Sequence, residues 1–116
     1  MFPKKNRITK REFDELMKNG RVFHSPLFSL RFGNKKNDDI PKFAFVISKK
    51  VAKNASDRNI LKRRGFHALR ELIFPLSVEK RSGHMVAFFF KKEAIGLKFK
   101  DIKKDMEILL KKNGVL

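Results

Sequence analysis

The chain has 116 residues, of which 29 are Lys or Arg and 12 are Asp or Glu, so its formal net charge is +17. This length fits one domain, residues 1–116, and hydrophobic residues at 41% are enough for a modest core, which argues against a disordered chain. The absence of Cys excludes disulfides, thiolate nucleophiles and Cys-based zinc sites, and no apolar run is long enough to cross a bilayer. The basic start is not followed by an apolar stretch of the secretory type, so we expect a cytoplasmic location.

The first predicted element is a helix over residues 9–19. Thr9 suits the N-cap position, and Glu12 suits its partner in a capping box. Apolar residues then recur at helical spacing on one face: Phe13, Leu16 and Met17.

Strands are predicted next along the chain. A short one lies around residues 22–23 and a longer one over 27–32, where the preceding Pro favours a strand start. The polar stretch 33–39 is typical of a hairpin loop. Residues 43–48, rich in Phe, Val and Ile, indicate another strand.

The second half of the chain predicts two more helices around one strand. Residues 61–74 carry an apolar stripe at helical spacing, and 99–112 form another amphipathic helix with acids early and lysines late. Residues 85–90 are continuously apolar, as in a buried central strand. The order of elements predicts an α+β fold in which residues 43–48, 58–74 and 85–90 form a strand–helix–strand unit. A parallel crossover of this kind is usually right-handed.

The most unusual segment is residues 49–65, "KKVAKNASDRNILKRRG", which sets seven cations against the one acid Asp57. With few acids nearby, these like charges repel one another, and an external anion would relieve the repulsion. We therefore predict a phosphate-binding surface here, whereas the lysines elsewhere are adequately explained as solvated surface. The cations of this segment are Lys49, Lys50, Lys53, Arg58, Lys62, Arg63 and Arg64.

RNA fits this surface better than duplex DNA, because zinc-finger spacing, basic-zipper heptads and a clear helix-turn-helix are all missing from the sequence. Aromatic rings on which unpaired bases could stack lie on or near the predicted sheet and first helix, although core packing is the favoured explanation for any single one of them. These rings belong to Phe13, Phe28 and Phe32.

No set of residues indicates catalysis by this chain. The three histidines, His24, His67 and His84, are scattered without metal-ligand spacing, and the adjacent pair Asp38–Asp39 is typical of a solvated loop. Any reaction would then rely on chemistry supplied by a partner. Two alternatives to a protein that assists a catalytic partner are a basic RNA-binding module without catalytic function and a nuclease acting alone. The nuclease is disfavoured, because no convergent set of acids and histidines is visible.

The segment "SKKVAKNASDRNILKRRG" (48–65) resembles the signature of the bacterial ribonuclease P protein subunit. In that signature, Ser-Lys-Lys closes a strand, and a basic loop leads to Arg-Asn-Arg and further cations at the start of a helix. Other segments are similar to the family in their order along the chain. They are "KNRITKREFDELMKNG", "PLFSLRF", "HMVAFFFKKEA" and "FKDIKKDMEILLKK".

The resemblance implies an α-β-β-β-α-β-α sandwich, like domain 2 of ribosomal protein S5, with a left-handed crossover around the signature helix. It also implies RNA contacts through Asn59 in addition to the seven cations. A central cleft would receive the single-stranded 5′ leader of precursor tRNA. The residues expected to line this cleft are Phe13, Met17, Phe28 and Arg31.

The same resemblance implies a division of labour in which the chain assists a catalytic RNA that removes the leader. The expected partners are ribonuclease P RNA, one copy per protein, and precursor tRNA, with no membrane involved. The catalytic groups and Mg2+ would reside mainly on the RNA. One departure stands out: Ile60 occupies the position of the second Arg of the signature, and Arg64 is a candidate to replace it.

Overall fold

Helices pack against both faces of a four-stranded sheet in the computed structural model, which describes residues 4–34, 41–73 and 84–114. The order of elements confirms the predicted α+β fold. None of the helices within these described ranges is both long and apolar enough to cross a membrane. The elements are α1 (Lys10–Asn19), β1 (Arg21–His24), β2 (Phe28–Asn34), β3 (Lys42–Val46), α2 (Ala55–Ile73), β4 (His84–Phe90) and α3 (Phe99–Lys112).

The strands lie in the order β1-β2-β4-β3. β4 is central, as predicted, and pairs antiparallel with β2 and parallel with β3. The prediction that the polar stretch after β2 closes a hairpin with β3 is wrong, because β4 lies between these two strands. The most apolar strand takes the interior position, and a parallel β3–β4 pair needs a crossover, which α2 supplies. Residues 35–40 of the predicted loop lie outside the described residues.

The two sides of β4 separate the core into two layers. Val86, Phe88 and Phe90 point to the side covered by α2 and α3, called here the α2–α3 face. Met85, Ala87 and Phe89 point to the side covered by α1, called here the α1 face, where Leu16 packs on them. This alternation follows from the two-residue period of a strand.

Helix α1 is fixed at its start by the predicted capping box. The backbone N–H of Glu12 donates to Thr9 Oγ1 at 3.2 Å, and the backbone N–H of Thr9 donates to Glu12 Oε1 at 2.9 Å. Lys42 Nζ lies 2.9 Å from the other oxygen, Glu12 Oε2, with both side chains largely buried. One carboxylate therefore starts the helix and also ties it to β3.

Asp105 on α3 has a different role from the one its position in the sequence suggests. The helix dipole does not explain it, because Asp105 is the seventh residue of α3, beyond the first turn; its side chain is buried and binds another element. Asp105 Oδ2 accepts hydrogen bonds from Ser25 Oγ at 2.5 Å and from the backbone N–H of Leu27 at 3.1 Å. It therefore anchors α3 to the turn between β1 and β2.

Helix α2 begins at Ala55, earlier than the predicted helix over 61–74. The residues from Ala55 to Ile60 include no buried side chain, so apolar spacing gives no signal in the first turns. Instead, the backbone N–H of Arg58 donates to the Asn54 carbonyl at 3.1 Å, and Asp57 sits where the helix dipole favours an acid. The basic segment is therefore largely helical.

Gly65 allows α2 to approach the sheet closely. A Cβ at this position would lie 2.7 Å from Cε1 of the Phe45 ring, closer than side chains tolerate. A glycine inside a helix costs about 1 kcal/mol relative to alanine, so packing rather than helix propensity explains it. The contact sets the height of α2 above β3.

We expect Gly65→Ala to lower the melting temperature, because an overpacked core loses about 1–3 kcal/mol, more than the helix gains in propensity. Thermal unfolding followed by circular dichroism measures the loss. Combining G65A with Phe45→Leu should cost less than the two single changes added together, since leucine leaves more room. Strictly additive losses would contradict the proposed contact.

Candidate nucleic-acid interface

The cations of residues 49–64 gather where the loop after β3 becomes α2; this surface is called here the basic junction. Lys49 and Lys50 lie in a turn, and Lys53 follows just before the helix. On the helix, Asn59, Lys62, Arg63 and Arg64 are exposed, because its buried stripe lies elsewhere. That stripe consists of Leu61, Gly65, Ala68, Leu69 and Ile73.

The basic junction keeps its positive charge. Within residues 4–34, 41–73 and 84–114, no ion pair involves a cation of the junction. The pairs found there join Lys42 to Glu12, His67 and Lys103 to Glu71, and Lys111 to Glu107. Asp57 accepts a 3.4 Å hydrogen bond from the Asn54 amide. The junction is therefore a dense, solvent-facing group of like charges.

Arg58 differs from the other cations because its guanidinium is bonded to the loop that precedes it. Arg58 Nη1 donates to the Ala52 carbonyl oxygen at 2.9 Å and to the Lys53 carbonyl oxygen at 2.8 Å. The side chain is only partly exposed. A guanidinium has five N–H donors in a fixed plane, so donors remain for an outside anion. Residue spacing carried no sign of this second role in shaping the loop.

The structure shows what surrounds Ile60, which stands where the signature has its second Arg. Ile60 is 44% exposed, and Arg64 lies one helical turn later on the same side of α2. At about 100° per residue, Arg58 and Lys62 project from a different side of the helix. Arg64 is thus placed to supply a cation near the position that Ile60 leaves apolar.

A second group of predicted residues lies together at α1. Phe13 is partly buried against the α1 face of the sheet, and Met17, one turn later on α1, is also partly buried. Arg31 lies on the same face, and its Nη1 donates to the Met17 carbonyl oxygen at 3.0 Å, near the end of α1. Because α1 has only 10 residues, it leaves part of this face uncovered.

The prediction that Phe28 lines this cleft is wrong. Its side chain has no exposed surface and belongs to the α2–α3 face, where its ring centroid lies 5.5 Å from that of Phe88 and 4.8 Å from that of Phe90. Phe32, farther along β2, also packs on that layer. The strand period sends Arg31 to the α1 face and both phenylalanines to the other.

Phe89 is the aromatic residue that the sequence-based prediction missed. Its ring is partly buried on the α1 face, with its centroid 6.1 Å from that of Phe13. Alternation along β4 was the available signal, since it separates Phe89 from Phe88 and Phe90. The leader face is defined here as Phe13, Met17, Arg31 and Phe89.

The basic junction and the leader face meet at one end of the sheet. Val46, the last residue of β3, is paired in register with Phe89 of β4. The chain then runs directly into the loop that carries Lys49 and Lys50. The two surfaces are therefore adjacent.

Comparison with known proteins decides the family. The family model described as "Ribonuclease P" matches residues 2–114 of the chain. The chain belongs to the ribonuclease P protein family. A curated ribonuclease P protein component from a Nitratiruptor species is 38% identical over 104 residues, which are 90% of this chain and 87% of that protein.

Solved structures agree with the fold. The ribonuclease P protein from Thermotoga maritima matches with a TM-score of 0.77 at 22% identity, over 91% of this chain and 96% of that one. A Staphylococcus aureus ribonuclease P protein, a mutant with defective mRNA degradation activity, matches with a TM-score of 0.75 at 26% identity, over 93% and 87% of the two chains.

Membership in the ribonuclease P protein family confirms the function inferred from the signature. The chain is a protein subunit of ribonuclease P and acts in tRNA processing with an RNA subunit, as part of the holoenzyme that cleaves leaders from precursor tRNA. Among the residues that the structure describes, no three His, Asp or Glu side chains are grouped to hold a metal ion.

We expect Lys62→Ala and Arg58→Ala to weaken binding of ribonuclease P RNA in different ways. Loss of one phosphate contact should reduce the slope of log K against log[salt] by about 1 in each variant. Arg58→Ala should also lower the melting temperature, because the Ala52 and Lys53 carbonyls lose their donor. Filter binding at several salt concentrations and thermal melts measure both effects.

Lys104→Ala, which changes an exposed lysine on α3, is the matched control and should change neither quantity. An unchanged salt slope in both Lys62→Ala and Arg58→Ala would remove α2 from the RNA interface. An unchanged melting temperature in Arg58→Ala would show that its two hydrogen bonds do not hold the loop.

Proposed function

We propose that the basic junction binds the RNA subunit while the leader face receives the single-stranded 5′ leader of precursor tRNA. The observation that carries this proposal is the group of cations at residues 49–64, which forms no ion pair with an acid among the described residues. Such a surface gains free energy when bound phosphates release their counterions.

The structure of the junction supports phosphate contacts along one continuous surface. The positive end of the α2 dipole lies at the same place, since the helix starts at Ala55. Arg58 joins loop and helix, so the cations approach RNA as one unit. The loop contributes Lys49, Lys50 and Lys53, and α2 contributes Arg58, Asn59, Lys62, Arg63 and Arg64.

The leader face supplies different contacts. Phe13 and Phe89 offer two neighbouring rings, on which unpaired bases stack regardless of their sequence. Arg31 adds a positive charge beside them. Because a leader varies in sequence between precursors, stacking and charge suit it better than base-specific hydrogen bonds would.

The chemical step belongs to the RNA in this proposal. When RNA cleaves RNA, two polyanions must approach each other, and a cationic protein between them reduces the repulsion. Mg2+ bound mainly by the RNA supplies two-metal chemistry at the scissile phosphate. The junction itself repels cations and does not fit a metal, so the chain contributes affinity and screening rather than a general base. We propose one protein per RNA, acting in the cytoplasm.

We expect the purified protein to restore cleavage of precursor tRNA by a bacterial ribonuclease P RNA when Mg2+ is limiting. The cut should fall at the mature 5′ end, and the Mg2+ concentration for half-maximal cleavage should decrease. Gel analysis of end-labelled substrate measures both. RNA binding without restored cleavage would favour a basic RNA-binding module, and cleavage without added RNA would favour an independent nuclease.

We expect Phe13→Ala in the holoenzyme to weaken binding of leader-bearing precursor more than binding of mature tRNA. The loss of one stacked base corresponds to about 1–3 kcal/mol. Phe28→Leu is the matched control, because its buried ring should affect stability and not leader preference. Equal losses of affinity for both RNAs, together with a lower melting temperature, would show that Phe13 has a purely structural role.

A further inference from the structure

A groove of about 770 Å³ lies between α2 and the outer edge of β3, apart from the leader face. It exists because β3 is an edge strand and α2 crosses above it without covering the edge. The segment before α1 forms the far wall, where the backbone N–H of Ile8 donates to the Phe43 carbonyl oxygen at 3.1 Å. The volume is within the range of about 300–1,000 Å³ that is usual for small-ligand sites.

The rim of the groove is cationic. Among the described residues that line it there are four cations and no acid: Arg7, Lys62, Arg63 and Arg70. Glu71, next to Arg70 along α2, is not itself a lining residue; Lys103 contacts its carboxylate, and so does His67, which does line the groove. The hydrogen bond from Lys103 lowers the pKa of Glu71, so this acid stays ionised and paired. Lys62 and Arg63 are exposed and form no ion pair among the described residues, so this part of the rim favours an anion.

The wall of the groove carries an aromatic ring, Phe66, and the guanidinium group of Arg7. The Phe66 ring packs edge-on against Phe45, with centroids 4.7 Å apart and an interplanar angle of 77°. The guanidinium carbon of Arg7 lies 5.8 Å from the centroid of Phe66, a cation–π distance. Guanidinium planes and aromatic rings are the two surfaces on which proteins stack unpaired bases. The Asn59 amide lies in the same groove and can donate to and accept from a base edge.

We propose that this groove binds one unpaired RNA nucleotide. Its base stacks on the Arg7–Phe66 platform, and its phosphate lies between Lys62 and Arg63. The inference rests on the proposed function, because Asn59, Lys62 and Arg63 also belong to the basic junction. An RNA strand on the junction could thus insert one extruded nucleotide between α2 and β3, which would fix its register on the protein.

Nuclear magnetic resonance titration of the full chain with adenosine 5′-monophosphate, inorganic phosphate or adenosine tests the proposal without any RNA subunit. The nucleotide should shift the backbone amides of residues 43–45 and 66–67, which flank the platform. Inorganic phosphate should shift mainly those around residues 62–63. Identical shift patterns for the nucleotide and for phosphate would overturn the proposal, leaving a simple anion site.

Two variants separate base stacking from charge. Arg7→Lys keeps the charge but removes the planar surface, and Phe66→Leu removes the ring but keeps an apolar side chain. Each should weaken nucleotide binding about fivefold or more, the lower end of base stacking, and leave phosphate binding within about twofold. Amide signals as widely dispersed as those of the unchanged protein show that the variant is folded. Phe23→Leu on the opposite edge strand is the matched control and should change neither affinity.

Unchanged nucleotide affinity in Arg7→Lys and Phe66→Leu would overturn the stacking platform. These results are independent of the leader-cleavage experiment. If the groove fails to bind the nucleotide while the protein still restores cleavage, only the groove proposal is lost. If the nucleotide binds but cleavage is not restored, the groove stands and the leader-processing proposal fails.

Discussion

The parallel pairing of β3 with β4 is the constraint on which the rest of the structure depends. Two adjacent parallel strands cannot be joined by a tight turn, so the chain must leave the sheet, cross it and return. Helix α2 makes this crossing, and the basic junction is the segment where the crossing begins. The strand pairing thus places the most positively charged part of the chain at one end of the sheet, in solvent.

The same arrangement creates the two surfaces that we propose for RNA, the basic junction and the leader face. Helices α2 and α3 cover one face of the sheet completely enough to build the main core. Helix α1 covers the other face only in part, which leaves Phe13 and Phe89 accessible beside Arg31. The basic junction begins just after β3 ends beside Phe89, so the two proposed surfaces adjoin each other.

Sequence patterns predicted the order of elements, the capping box and the central strand, because each depends on local spacing or on a continuous apolar run. They missed what depends on partners far away in the chain. The prediction of a hairpin after β2 was wrong because β4 lies between β2 and β3, which both precede it in the sequence. The start of α2 was placed too late because its first turns bury nothing.

The prediction of the cleft was only partly correct, because it also depends on contacts between distant parts of the chain. Phe13, Met17 and Arg31 do lie together, but Phe28 belongs to the opposite face, and assigning it required the strand alternation to be followed residue by residue. The hydrogen bonds of Arg58 to the loop and of Asp105 to the β1–β2 turn left no mark in the spacing of residues. Residue type and position predicted their charges, while only the folded chain shows what those charges bind.

The two hydrogen bonds from Arg58 affect how tightly the protein can bind RNA. A lysine-rich loop that is free to move must lose conformational entropy when it orders on a polyanion, and that loss reduces affinity. Here the loop is already closed by a side chain of the chain itself. The protein therefore meets RNA in a preorganised state, so more of the electrostatic attraction is available for association.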